Sequence, residues 1–199
     1  MTQLRSGRRI PLTLVTVFYG LMGGFAALVS WALFDELPIQ VMSETWDLVP
    51  KAGLGVVLGL VVVGLSRVFN SRFSWAKELE AKFRKLLGEV SLGAAAWMAL
   101  TSAFAEELLF RGLLLRLFLP DGGAGGGPAV VLAVVVTSAI FGLLHIGPDR
   151  SYVPWTVFAL VLGLVFGAIT VLTGDIVAVV IAHMTINYFN FLAIAGPSD

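Results

Sequence analysis

The chain contains no cysteine, which excludes disulfides, thiolate metal sites and a cysteine nucleophile. Charge is also scarce. Asp, Glu, Lys and Arg make up 13% of the 199 residues, about half of the roughly 25% usual in a soluble domain. The thirteen acidic and thirteen basic residues balance to zero, so no bulk field points to a nucleic-acid partner. There are two histidines and no internal repeat. Apolar side chains, at 58% of the chain, are what it has in excess. A single soluble domain of this length has no use for so much apolar surface, whereas an integral membrane protein does.

Crossing the hydrocarbon core takes about 20 predominantly apolar residues. Six segments meet or approach this: Leu12–Phe34, Leu54–Phe69, Ser91–Leu119, Ala129–Ile146, Pro154–Leu172 and Ile176–Ala195. The first follows Arg5, Arg8 and Arg9 but is too long for a signal-peptide core, so it reads as a retained anchor. Between the second and third, Trp75, Leu79, Leu86 and Leu87 recur at helical spacing among Lys77, Lys82, Arg84 and Lys85. That pattern predicts an amphipathic helix on the membrane surface. Pro120–Pro128, "PDGGAGGGP", reads as a flexible linker. The expected fold is all-α: a polytopic bundle of about six transmembrane helices plus one interfacial helix, forming a single integral membrane domain over residues 1–199.

Lysine and arginine bias sets the orientation. One side carries Arg5, Arg8, Arg9, Arg67, Arg72, Lys77, Lys82, Arg84, Lys85 and Arg150, and the other carries Lys51 alone. Both termini are therefore expected in the cytoplasm.

Ionisable groups within spans are costly and usually mark function. Here they are Glu106, Glu107 and Arg111 in the third span, His145 near the end of the fourth and His183 in the sixth, joined by the polar Asn187 and Asn190. Glu107 and Arg111 are four apart, so they share a helical face and can pair. Glu106 is rotated by about 100° from Glu107 and is left without a sequence-local cation. His183 and Asn187 share a face, which Asn190 continues. Taken singly, each could be a packing pair or interhelical glue. Taken together, one shared site explains all three clusters. A carboxylate in an apolar place can act as a base near neutral pH, and imidazole and carboxamide groups can orient water or donate to an oxyanion. No obvious nucleophile is present, so water-mediated hydrolysis is the natural reaction class. Spacing alone does not choose among peptide, ester and phosphoester.

"EELLFR", "FGLLH" and "HMTIN" resemble, in order and on separate spans, the Glu-Glu-x-x-x-Arg, Phe-x-x-x-His and His-x-x-x-Asn motifs of one family. It comprises the CPBP (CAAX protease and bacteriocin-processing) intramembrane endopeptidases, which include the type II CAAX prenyl endopeptidases and the Abi proteins. The resemblance divides the chain into residues 1–89, with two spans and the interfacial helix, and a catalytic core at 90–195. It implies that Glu106 with His145 activates water, that His183 and Asn187 stabilise the oxyanion, and that Glu107 and Arg111 set geometry and charge. It leaves metal use open. The absence of His-Glu-x-x-His favours a mechanism with no required cofactor. A zinc-dependent version would draw its ligands from Glu106, His145 and His183. The compact size suggests a bacterial cytoplasmic membrane. Many prenyl-processing members have about eight spans, and bacteria generally lack prenylated CAAX proteins. The implied partner is therefore another membrane-associated protein or peptide in the lipid bilayer.

Two other readings compete. A non-catalytic immunity or scaffold protein would use the polar cluster for binding. The intact set of three motifs favours the enzyme, because a scaffold has no need of Glu106 beside a pair that already suffices. A small transporter would want broken helices, but Pro148 and Pro154 fall in a loop.

Overall fold

The computed structural model describes residues 10–42, 46–119 and 127–196. Among them the architecture is all-helical, with seven helices: α1 (Leu12–Phe34), α2 (Leu48–Arg72), α3 (Ser74–Leu87), α4 (Leu92–Phe118), α5 (Gly127–Leu143), α6 (Val153–Thr173) and α7 (Val177–Ala195). A short 3₁₀ turn, Arg150–Tyr152, precedes α6. The linker reading at 120–126 lies outside the described residues, whereas Gly127 and Pro128 belong to the first turn of α5.

Burial is inverted relative to a water-soluble protein. Leu21 and Leu28 on α1 are 71% and 73% exposed, while Glu107, Arg111, His183, Lys51 and Asp175 are buried. A surface of that kind needs lipid rather than water against it. Four helices are long and apolar enough to cross a membrane: α1, α2, α6 and α7, with a fifth crossing if the bent pair α3–α4 is counted. The sequence reading expects six. Of the two that fall short, α4 carries Glu106, Glu107, Arg111 and Arg116. The other, α5, has 17 residues, a length of about 26 Å against a core of about 30 Å.

The interfacial helix forms as α3 and bends by 103° from α4, so it cannot run along the same axis. Arg84 donates to the Ala193 carbonyl, and the Val90 N–H donates to the Ala195 carbonyl at 2.6 Å. These bonds tie this end of the bundle to the C-terminus of α7.

Span two begins earlier than expected, at Leu48 rather than Leu54, because Lys51 is helical and buried. It is not the loop cation assumed in the orientation count. Its ammonium pairs with Asp175 in the turn between α6 and α7. The same turn pairs with the segment after α1: Val41 and Met42 N–H groups donate to the Gly174 carbonyl at 2.9 and 3.0 Å.

Small residues allow the site-bearing helices to approach closely. A β-carbon at Gly55 would lie 2.5 Å from the Ala178 carbonyl oxygen, and one at Gly59 would lie 2.6 Å from Thr185 Cβ. This four-residue pair of glycines presses α2 onto α7, the helix that carries His183 and Asn187. Gly112 on α4 likewise admits the segment after α1, where a β-carbon would collide with the Pro38 carbonyl.

Candidate active site

Glu107 organises the centre. It ends the α-helical part of α4, and a wider π-helical turn, Leu108–Leu114, follows and carries Arg111. Such turns are frequent at functional sites. Arg111 lies 3.0 Å from Glu107 Oε1 and 2.9 Å from Oε2, so the pair expected from the four-residue spacing forms across this turn. The guanidinium also reaches the Gly163 carbonyl on α6 at 3.5 Å. It sits 4.4 Å from the Phe141 ring centre and 5.3 Å from that of Phe166, contacts that partly replace lost hydration.

His183 comes from α7 and meets the same carboxylate. Its Nδ1 lies 2.7 Å from Glu107 Oε1. A carboxylate only accepts, so Nδ1 carries the proton and donates. The other nitrogen then faces Glu106, with Nε2 3.8 Å from Oε2. That gap is too long for a hydrogen bond, yet one water at about 2.8 Å from each atom can bridge it.

Glu106 has a partner that sequence reasoning misses. The phenol of Tyr19, on α1, lies close to its carboxylate. The register of the two helices explains the encounter. Trp97 Nε1 on α4 donates to the Thr16 hydroxyl at 2.8 Å, and a β-carbon at Gly23 would lie 3.5 Å from Ala105 Cβ. Thr16, Tyr19 and Gly23 lie on one face of α1, so Tyr19 is held between two fixed contacts with α4. No local pattern marks it, because its partner is distant in the chain.

Asn187 lies one turn beyond His183 on α7. Its Nδ2 donates to the Ser102 hydroxyl at 2.9 Å. Ser102 is buried one turn before Glu106, and it is a second residue the motif reading lacks. Asn190 departs from the expected shared cluster: it lines a cavity bounded by α2, α3, α6 and α7.

His145 stands across Phe141 from the cluster. It lies two residues past the end of α5 and is partly exposed. Its Nδ1 is 2.7 Å from the Phe141 carbonyl, which can only accept, so Nδ1 carries a proton and, in the neutral ring, Nε2 is the acceptor. Phe141 packs against His145 at 4.5 Å and His183 at 6.5 Å between ring centres. One phenyl ring thus touches both imidazoles and the Arg111 guanidinium.

Among the described residues, no group of three or more His, Cys, Asp and Glu is arranged to hold a metal ion. Glu106 and His183 approach each other, but His145 packs between Phe141 and Trp155. As placed, the three residues named for zinc do not fit a three-ligand site.

Comparison with known proteins gives one finding. The family model of type II CAAX prenyl endopeptidase, Rce1-like, matches residues 89–189. No curated protein and no solved structure matches the chain. The matched segment spans half of the chain and contains Glu106, Glu107, Arg111, His145, His183 and Asn187. The chain belongs to the type II CAAX prenyl endopeptidase Rce1-like family, within the CPBP intramembrane peptidases.

Proposed function

We propose that this protein is a membrane endopeptidase that hydrolyses a peptide bond in a membrane-associated protein or peptide, with Glu106 as the base. The observation that carries the reading is the 3.8 Å gap between Glu106 Oε2 and His183 Nε2, backed by the buried Glu107–Arg111 pair. Glu107 fixes the tautomer and orientation of His183, as a carboxylate does in a hydrolytic triad. Glu106 takes one proton from water as the water oxygen attacks the scissile carbonyl carbon. The water's other hydrogen is held by one imidazole at a time: His183 Nε2 at rest, and His145, across Phe141, as the water moves onto the carbonyl. Asn187, released from Ser102, donates to the oxyanion. The carbon–nitrogen bond then breaks, and the proton held by Glu106 passes to the leaving amine. The products are a carboxylate and an amine, and the base is regenerated. No cofactor takes part. The setting is a bacterial cytoplasmic membrane with both termini in the cytoplasm.

The test is a panel of quenched fluorescent peptides, each with an apolar anchor, presented to the protein in liposomes. Cleavage by wild type and none by Glu106→Gln supports the reading. Equal rates for the two, or no cleavage of any peptide, sinks it in favour of a non-catalytic binding role.

A further inference from the structure

Lys82 lies on α3, outside the matched segment, and no step above uses it. Its ammonium lies 3.0 and 2.9 Å from the two Asp149 carboxylate oxygens and donates to the Ser151 hydroxyl at 2.5 Å. Asp149 in turn accepts from the Ser151 N–H at 2.9 Å and from its hydroxyl at 2.6 Å, which caps the 3₁₀ turn before α6. Phe83, the next residue on α3, meets Tyr152 and Trp155 edge-on, with ring centres 5.9 and 5.5 Å apart. Trp155 then packs against His145 at 5.6 Å. Thr156, one residue on, donates to the His145 carbonyl at 3.0 Å.

This chain of contacts has a physical purpose. His145 lies beyond the last residue of α5, so regular helical bonds no longer fix its backbone on both sides. One face of its ring is set by Phe141, and the other depends on Trp155. Trp155 also walls a cavity of about 640 Å³, together with Trp75, Phe83, Phe158 and Asn190. An open chamber on that side leaves room for Trp155 to move, and contacts with α3 limit that freedom.

We propose that Lys82 and Phe83 are positioning residues for His145: through Asp149, Ser151 and Trp155, the interfacial helix holds the loop between α5 and α6, and with it the imidazole. The role in turnover rests on the hydrolytic reading, since it requires His145 to touch the reacting water. The family-matched core is then incomplete on its own, and α3 supplies part of its active-site support.

The test compares wild type with Lys82→Met and Lys82→Arg in liposomes, using Lys77→Met as a charge-matched control on the same helix. The readouts are cleavage of whichever panel peptide wild type cuts, and the ring signals of ¹³C-labelled histidine. With two histidines in the chain, the two ring signals can be assigned by replacing either one. Lys82→Met should lower kcat roughly two- to fivefold with KM unchanged, the scale of one surface ion pair. It should also shift or broaden the His145 signal and leave that of His183 in place. Lys82→Arg should restore both readouts, and Lys77→Met should resemble wild type. A His145 signal that does not respond to Lys82→Met, or a matching loss in Lys77→Met, overturns the proposal. If the His145 signal responds as expected but wild type cleaves no peptide, the positioning stands and the hydrolytic reading fails.

Discussion

Glu106 and His183 approach to 3.8 Å from helices far apart in sequence, and a single carboxylate, Glu107, fixes the orientation of that imidazole. Two adjacent glutamates therefore have different surroundings. Glu107 is fully buried and paired with Arg111 and His183. The Glu106 side chain is 13% exposed and faces the gap. Only the second is placed to exchange a proton with water.

Glu106→Gln keeps size and polarity but removes the proposed base. Turnover should fall by about 10²-fold or more, the usual range for a positioned proton-transfer group. Thermal stability in detergent should stay within a few degrees of wild type. Steady-state cleavage and a melting curve on the same preparation check this. A variant that melts much earlier would mean that Glu106 is structural.

Glu107→Gln should behave differently. Arg111 is 3% exposed, and removing its carboxylate leaves a buried charge uncompensated, at a cost of about 3–5 kcal/mol. The protein should express poorly and melt early as well as lose activity. Adding Arg111→Met to Glu107→Gln should recover much of the stability but none of the cleavage. Recovery of cleavage in the double variant would remove Glu107 from the machinery.

How much of this could be read from the chain depends on whether the partners are local. The Glu107–Arg111 pair follows from spacing alone, and α3 follows from its amphipathic pattern. Tyr19 and Ser102 are silent in the sequence because each meets its partner across a helix interface. Lys51 misleads for the same reason. A lysine at the start of a span looks like a loop cation until Asp175, from a distant turn, neutralises it. The π-helical turn at Leu108–Leu114 has no local signature, and Gly112 within it matters because the Pro38 carbonyl lies against it. The motifs pair His145 with Glu106 and give His183 to the oxyanion, yet it is His183 that lies on the two glutamates and His145 that packs behind Phe141.

Tyr19→Phe deletes one hydroxyl at a contact outside the matched segment. If the phenol orients Glu106, kcat should fall by about three- to tenfold, the worth of one ordinary hydrogen bond, with KM little changed. Expression and melting should match wild type, because the ring remains. An unchanged kcat would reduce Tyr19 to a packing residue.

The contact between α3 and the His145 loop should not depend on pH in the working range. The Ser151 hydroxyl, then Lys82 and the Ser151 N–H, hold Asp149 at about 2, below its ordinary value of 3.8. The hydrogen bond to Asp149 raises Lys82 above its usual value. A depressed carboxylate contributes fully above its unfolded value and loses that contribution as pH falls through about 2. A raised lysine keeps its charge through the basic range. The ratio of wild-type to Lys82→Met rates should therefore be flat between about pH 5 and 9. A ratio that falls toward one near neutrality would show that another ionising group controls the loop.

Metal dependence separates two versions of the same hydrolysis. Glu106 and His183 lie together, but His145 is held by the Phe141 carbonyl and by aromatic rings. Three ligands do not converge among the described residues. Strong chelators, followed by removal of the chelator–metal complex, should leave the cleavage rate within about twofold of untreated protein, because a structural or catalytic zinc contributes far more than that. Added zinc should give no stimulation. The decisive arrangement is chelation of wild type alongside His145→Ala. If chelation abolishes wild-type activity and zinc alone restores it, His145 must swing past Phe141 to join Glu106 and His183. Glu106 would then become a ligand, or the base beside a metal-bound water. If chelation leaves wild type active while His145→Ala is slow, His145 acts through hydrogen bonding to water, and the glutamate-dependent route stands without a metal.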